Sequence, residues 1–153
     1  TSSKDTKNDS GDIEYESDDS VQVLDHFEPE NDGSITLSDP RSTYKLQPKI
    51  AKMLYPHQRE GLKWLWSLHV RGKGGILGDD MGLGKTMQIC GFLAGLFYSR
   101  LIRRVLVVAP KTLLPHWIKE LSAVGLSEKT REYDCHILDP VQNSENMNFS
   151  TYF

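Results

Sequence analysis

Residues 78 to 86 read GDDMGLGKT, and this run holds the side chains most capable of chemistry in the chain. Two alternating glycines, Gly82 and Gly84, free the backbone to turn so that successive N–H groups point inward, and Lys85 and Thr86 follow at once. Converging amide hydrogens beside an ammonium group suit an anion, above all the phosphates of a nucleotide. Lys85 would reach the β and γ phosphates, and the Thr86 hydroxyl would ligate Mg²⁺. The strict phosphate-loop pattern asks for glycine five residues before Gly84, where this chain has Asp79; Gly78 comes one position too early. What remains is GxGKT, which performs this chemistry only when a strand delivers it and a helix begins at its end. A flexible turn with a solvent-facing lysine is the plain alternative.

The flanking residues supply both elements. Residues 75 to 78 read as a short strand, and residues 85 to 98 as a helix with Ile89, Cys90, Leu93, Leu96 and Phe97 on its apolar face. Upstream, Leu54, Gln58, Leu62, Leu65 and Leu68 recur at steps of three and four, the periodicity of a helix with one buried stripe. Pro56 suits its first turn, RGKGG stops it near Arg71, and Gly61 marks a close approach. Trp64 and Trp66 read as packing residues. RRVLVVAP, residues 103 to 110, is a near-continuous apolar run of the kind found in a parallel sheet covered on both faces. Residues 115 to 124 predict a third helix with Trp117, Leu121 and Val124 inward. This order predicts the opening of a doubly wound α/β domain with both strands in one parallel sheet.

Charge divides the chain. Residues 1 to 39 carry 12 acids against Lys4 and Lys7, whereas the remainder carries 16 Lys or Arg against 9 acids, so the net −3 balances −10 against +7. The polar, Ser- and Asp-rich start buries too little apolar area to offset the entropy of ordering. It predicts a disordered acidic arm over 1–43, with order beginning near Tyr44. Within the arm, SVQVLDHF reads as a short strand or docking segment, and the EPENDGS and SDP runs as separators. Cys90 and Cys135 make no disulfide framework and imply no disulfide-linked partner. No stretch approaches the about 20 apolar residues that span a bilayer, so no membrane is expected. The five histidines lack ligand spacing and read as solvent or capping residues.

Three segments then carry a resemblance over 44–133. GGILGDDMGLGKT resembles motif I of the Swi/Snf-type helicase-like ATPases of superfamily 2. In that family an acidic pair commonly precedes MGLGKT, so Asp79 is the family's own form, with Asp80 where glutamate is more usual. LYPHQREGLKWLWSL resembles the family segment that holds the adenine edge, with Gln58 in the matching position. An amide both donates and accepts, as adenine requires. VLVVAPKTLLPHWIKE resembles motif Ia, which places Pro110, Lys111 and Thr112 against the backbone of one DNA strand. The flanks GGIL and QICGFLAGL are similar to the excision-repair-like branch, and the wording of residues 44 to 133 is closest to a plant chromatin-remodelling member.

The resemblance implies an incomplete recA-like lobe of phosphate-loop type, with a site of Gln58, Asp79, Asp80, Met81, Gly82, Leu83, Gly84, Lys85 and Thr86 for ATP and Mg²⁺. It also implies contact with double-stranded DNA that ignores base sequence, with nucleosomes or histones as further partners, in the nucleus. The family's metal-holding Asp-Glu box and the arginines of a second lobe have no match here, so no catalytic set is complete. The 134–153 tail, Asn- and Ser-rich, departs from the family and reads as divergent or truncated. The expectation is weak nucleotide binding without turnover. The rival reading is a non-enzymatic nuclear module whose acidic arm recruits basic partners. A kinase or GTPase-like protein fits poorly, since no NKxD-type guanine signal is present.

Overall fold

A computed structural model describes residues 30–126. The arm before residue 30, with its SVQVLDHF patch, and the tail from 127 onward lie outside the described residues. Strand β1, Ile35–Ser38, pairs antiparallel with β2, Thr43–Leu46, in a register that sets Ile35 opposite Leu46 and Ser38 opposite Thr43. Side chains alternate across a strand, so Ile35, Leu37, Tyr44 and Leu46 all reach the buried face. The Asp39 carboxylate closes the turn, accepting from the Ser42 hydroxyl at 2.7 Å and from the Ser42 and Arg41 N–H groups at 2.6 and 3.2 Å. These bonds, the Ser42 side chain first, hold its pKa below the ordinary aspartate value. Ahead of β1, Glu30 accepts from Thr36 and Ser34 and pairs with Lys45.

Structure therefore begins earlier than Tyr44. Residues 30–43, expected in the arm, contribute a strand and a turn because SDP is the bend of a hairpin and not a separator. The signal lies in two four-residue stretches, ITLS and TYKL, each apolar at period two and each too short to be decisive without its partner.

Proline opens the next two elements, α1, Pro48–Ala51, and α2, Pro56–Val70, where its missing N–H costs nothing. The Arg59 guanidinium staples their corner by donating to the Ala51 and Leu54 carbonyls at 3.1 and 3.0 Å. Helix α2 ends as RGKGG requires: Gly72 turns left-handed at φ 60°, and the Lys73 N–H returns to the Leu68 carbonyl. Helix α3, Lys85–Tyr98, matches its expected span and closes by the same device, but with Arg100 at φ 57° in the place glycine usually takes. A 3-10 turn, Lys111–Leu113, leads into α4, Leu114–Ala123. Of its expected inward residues, Val124 is buried, while Trp117 and Leu121 pack on the core in part.

The core gathers around Tyr44. Its ring stacks on Phe92 at 5.3 Å and tilts against Trp66 at 5.8 Å. Helix α3 receives it through Gly91 and Gly95, one turn apart: the Tyr44 hydroxyl donates to the Gly91 carbonyl, and a Cβ at Gly95 would collide with the phenol ring. Leu54 packs against Gly91, and Gln88 occupies the space that a Cβ on Gly61 would need, which is the close approach expected there. Ser99 ties the sheet to the end of α3 by accepting from the Lys45 N–H at 2.7 Å. Burial pushes the Tyr44 hydroxyl pKa well up. Burial, with the Glu120 carboxylate second, raises the Cys90 thiol to about 12.

The expected parallel sheet is absent from the described residues, whose one sheet is the antiparallel hairpin. Residues 75–78 and 103–110 form no strand, and Ile76, Leu106 and Val108 stand 91%, 77% and 85% exposed. A run such as VLVV expresses a preference for burial on both faces, yet a strand exists only when neighbours complete its ladder. The described architecture is a hairpin and four helices, and none of those helices is long and apolar enough to cross a membrane.

Candidate nucleotide site

The glycine loop enters α3 through two left-handed residues, Gly82 at φ 85° and Gly84 at φ 74°. Gly84 is the N-cap, so the turn is made where the helix leaves its first N–H groups without intrahelical partners. Both glycines are required on conformation, and Gly84 also on space, because a Cβ there would strike the Gln58 amide. A Cβ on Gly82 would meet nothing within 4 Å, so this side of the loop is open.

Lys85 folds back over the loop. Its ammonium donates to the Asp79 and Asp80 carbonyls at 2.6 and 2.9 Å, so the backbone of the acidic pair, not its carboxylates, meets the charge. The Asp79 and Asp80 side chains are exposed, as are Met81 and Leu83, while Thr86 is half-buried at the second position of α3.

Gln58 joins α2 to this loop. It is 2% exposed. Its Oε1 accepts from the Tyr55 N–H at 2.8 Å, capping the start of α2, and its Nε2 donates to the Gly84 and Leu83 carbonyls at 3.0 and 3.4 Å. An adenine edge that sought this amide would compete with the loop carbonyls for Nε2. Next to it, His57 Nε2 lies 3.0 Å from the same Leu83 carbonyl, and the His57 ring is stacked with Tyr55, 5.9 Å between centroids and 7° between planes. The histidine, read from sequence as a solvent or capping residue, stands beside the loop; its one sequence signal is adjacency to Gln58. Pro110, Lys111 and Thr112 sit on another element, the turn before α4, with all three exposed.

The delivering strand expected at 75–78 is not formed among the described residues, but the donors themselves are of the kind a nucleoside triphosphate takes. An open glycine turn, a lysine ammonium and the amino end of a fourteen-residue helix form an anion-binding set. For Mg²⁺ the described residues offer the Thr86 hydroxyl but no group of three or more His, Cys, Asp or Glu, so phosphate oxygens and water would supply the other ligands.

The glycine loop is thus turned by two left-handed residues into the head of a long helix and tied to the helix before it. Residues 57–145 match the SNF2-related domain, and the chain belongs to that family. Protein CHROMATIN REMODELING 24 of Arabidopsis thaliana is 76% identical over 104 residues, which are 68% of this chain and 10% of that protein. SNF2 domain-containing protein ENL1 of Oryza sativa subsp. japonica is 73% identical over 93 residues, 61% of this chain and 9% of that protein. DNA excision repair protein ERCC-6 of Homo sapiens is 43% identical over 88 residues, 50% of this chain and 6% of that protein. The chain thus spans a tenth or less of these relatives. The family is the one that motif I and its flanks resemble, with chromatin-remodelling and excision-repair names among its members.

Proposed function

We propose that this chain supplies the nucleotide-gripping part of a DNA-dependent ATPase that translocates on duplex DNA and moves or strips bound proteins. The observation that carries the reading is the pair of left-handed turns at Gly82 and Gly84, which brings Lys85 and Thr86 to the head of α3 within an SNF2-related domain. Bound ATP with Mg²⁺ would supply a phosphoanhydride bond whose cleavage powers movement. The residues of this chain bind and orient it. Backbone N–H groups of residues 82 to 86 would face the phosphates, the Lys85 ammonium, now on the Asp79 and Asp80 carbonyls, would hold phosphate oxygen, and the Thr86 hydroxyl would hold the metal. Gln58 would read the adenine edge only by giving up its bonds to the Leu83 and Gly84 carbonyls or to the Tyr55 N–H, and Asp79, Asp80, Met81 and Leu83 would complete the wall.

Pro110, Lys111 and Thr112 meet the DNA backbone, so binding there is indifferent to sequence and weakened by salt. The setting is the nucleus, with nucleosomes or histones as the load. The 153 residues alone bind nucleotide weakly and do not turn it over, because the metal-holding Asp-Glu pair and the arginines that meet developing charge have no counterpart in their sequence.

Equilibrium binding of labelled ATP with magnesium tests the site. Lys85→Ala removes a charge-assisted bond and is expected to weaken binding about tenfold to a hundredfold, with the circular dichroism spectrum unchanged. Equal affinity in the two proteins sinks the assignment of Lys85. No melting shift with ATP, together with histone capture by the acidic arm, favours the rival binding-module reading.

A further inference from the structure

We infer that His57 is a positioning residue for the phosphate loop: with Gln58 it clips the Leu83 carbonyl to α2 and thereby aims backbone N–H groups at the phosphate. This rests on the nucleotide reading above and adds a residue that the reading does not use. The geometry comes from neighbouring donors on one turn of α2. His57 Nε2 lies 3.0 Å from the Leu83 carbonyl oxygen, and Gln58 Nε2 lies 3.4 Å from that oxygen and 3.0 Å from the Gly84 oxygen. A carbonyl only accepts, so the imidazole carries its proton on Nε2.

The consequence follows from peptide planarity. Across a trans peptide the C=O and the next N–H point in opposite directions. Drawing the Leu83 oxygen towards α2 turns the Gly84 N–H away from α2; holding the Gly84 oxygen does the same for the Lys85 N–H. Those amides stand at the head of α3, where no intrahelical acceptor exists for them. Gly84 takes its left-handed φ of 74° freely, and its carbonyl also accepts the first bond of α3, from the Gln88 N–H at 3.1 Å, whereas the Leu83 carbonyl is met from α2 by His57 and Gln58. Gln58 is held by Tyr55 through its own Oε1 and is buried. His57 is exposed but braced by the parallel Tyr55 ring, so Tyr55 holds both donors, one through its backbone and the other through its ring.

The test uses the 153-residue chain with His57→Phe, which keeps the stack on Tyr55 and deletes the donor, and His57→Gln, which restores a donor at about the reach of Nε2. In nucleotide-free protein the Leu83 carbonyl carbon and Gly84 amide NMR resonances are expected to move in His57→Phe and to return in His57→Gln. Affinities for inorganic tripolyphosphate and for ATP are expected to fall together by about two- to tenfold, the worth of one net hydrogen bond, and to recover in His57→Gln.

Unmoved Leu83 and Gly84 resonances in a folded His57→Phe protein overturn the clip, as does failure of His57→Gln to restore them. A loss confined to ATP also overturns it, since the imidazole would then be serving the base. If the unsubstituted chain binds neither ligand, the nucleotide reading falls, and the free-state resonances alone decide the clip.

Discussion

Two regions of this molecule use similar apolar residues to opposite effect. In the block formed by the hairpin, α2 and α3, Tyr44, Trp66 and Leu62 are at most 1% exposed, whereas Leu106 and Val108 in the run before α4 are 77% and 85% exposed. Composition does not separate them. Partners do: the hairpin closes within a few residues, α2 and α3 lie one loop apart, and Tyr44 reaches Gly91 and Phe92 on α3, so each apolar face of the block meets another. Residues 103–110 need ladder neighbours from elsewhere, and among the described residues none is paired with them. The glycine loop sits at the border, anchored on the packed side by Gln58 and His57 and open on the other.

The largest effect is expected at the centre of the packed block. Trp66→Ala removes a ring that lies against Tyr44, and is expected to cost about 3–5 kcal/mol, measured by urea unfolding followed by circular dichroism. A loss below about 1 kcal/mol would show that the block is loosely packed and that its contrast with residues 103–110 is one of degree.

The same contrast governs what the sequence can disclose. Helices are legible because each carries its own signals. Pro56 and RGKGG bracket α2, and the bounds of α3 follow from GLGKT at one end and the loss of apolar periodicity at the other. The loop's glycines are legible because left-handed turns admit few other residues. The hairpin escapes notice because its partner strands are four residues each, and the acidic segment before them reads as disordered up to the turn. The strands expected at 75–78 and 103–110 fail because pairing is a property of the neighbours. At the glycine loop, type and spacing single out Lys85 and Thr86 for the candidate site, but no pattern foretells that an exposed His57 reaches a carbonyl 26 residues away.

A smaller effect is expected from one methyl group. Gly95→Ala places a Cβ against the Tyr44 ring, which is locked between Trp66 and Phe92 and cannot retreat. Elsewhere in a helix alanine would be the better residue by about 1 kcal/mol; here overpacking is expected to reverse the sign and destabilise by about 1–3 kcal/mol. A Gly95→Ala protein more stable than its parent, in the same urea titration, would mean that the groove between β2 and α3 has room to spare around the phenol.

The smallest effect bears hardest on the contrast. Leu106→Ser exchanges an exposed side chain for a polar one, and its stability is expected to stay within about 0.5 kcal/mol of the parent. Were residues 103–110 the central strand that their sequence resembles, the same exchange would strip a buried leucine of its transfer energy and strand a hydroxyl among apolar groups, for a loss of about 3 kcal/mol or more. Urea unfolding therefore reports whether the run has found partners. A near-zero value, accompanied by less self-association on gel filtration as apolar surface is removed, marks an unpaired segment; a large one marks a sheet completed around it, and with it a strand-framed lobe in which Lys111 and Thr112 hold a fixed position relative to the phosphate loop.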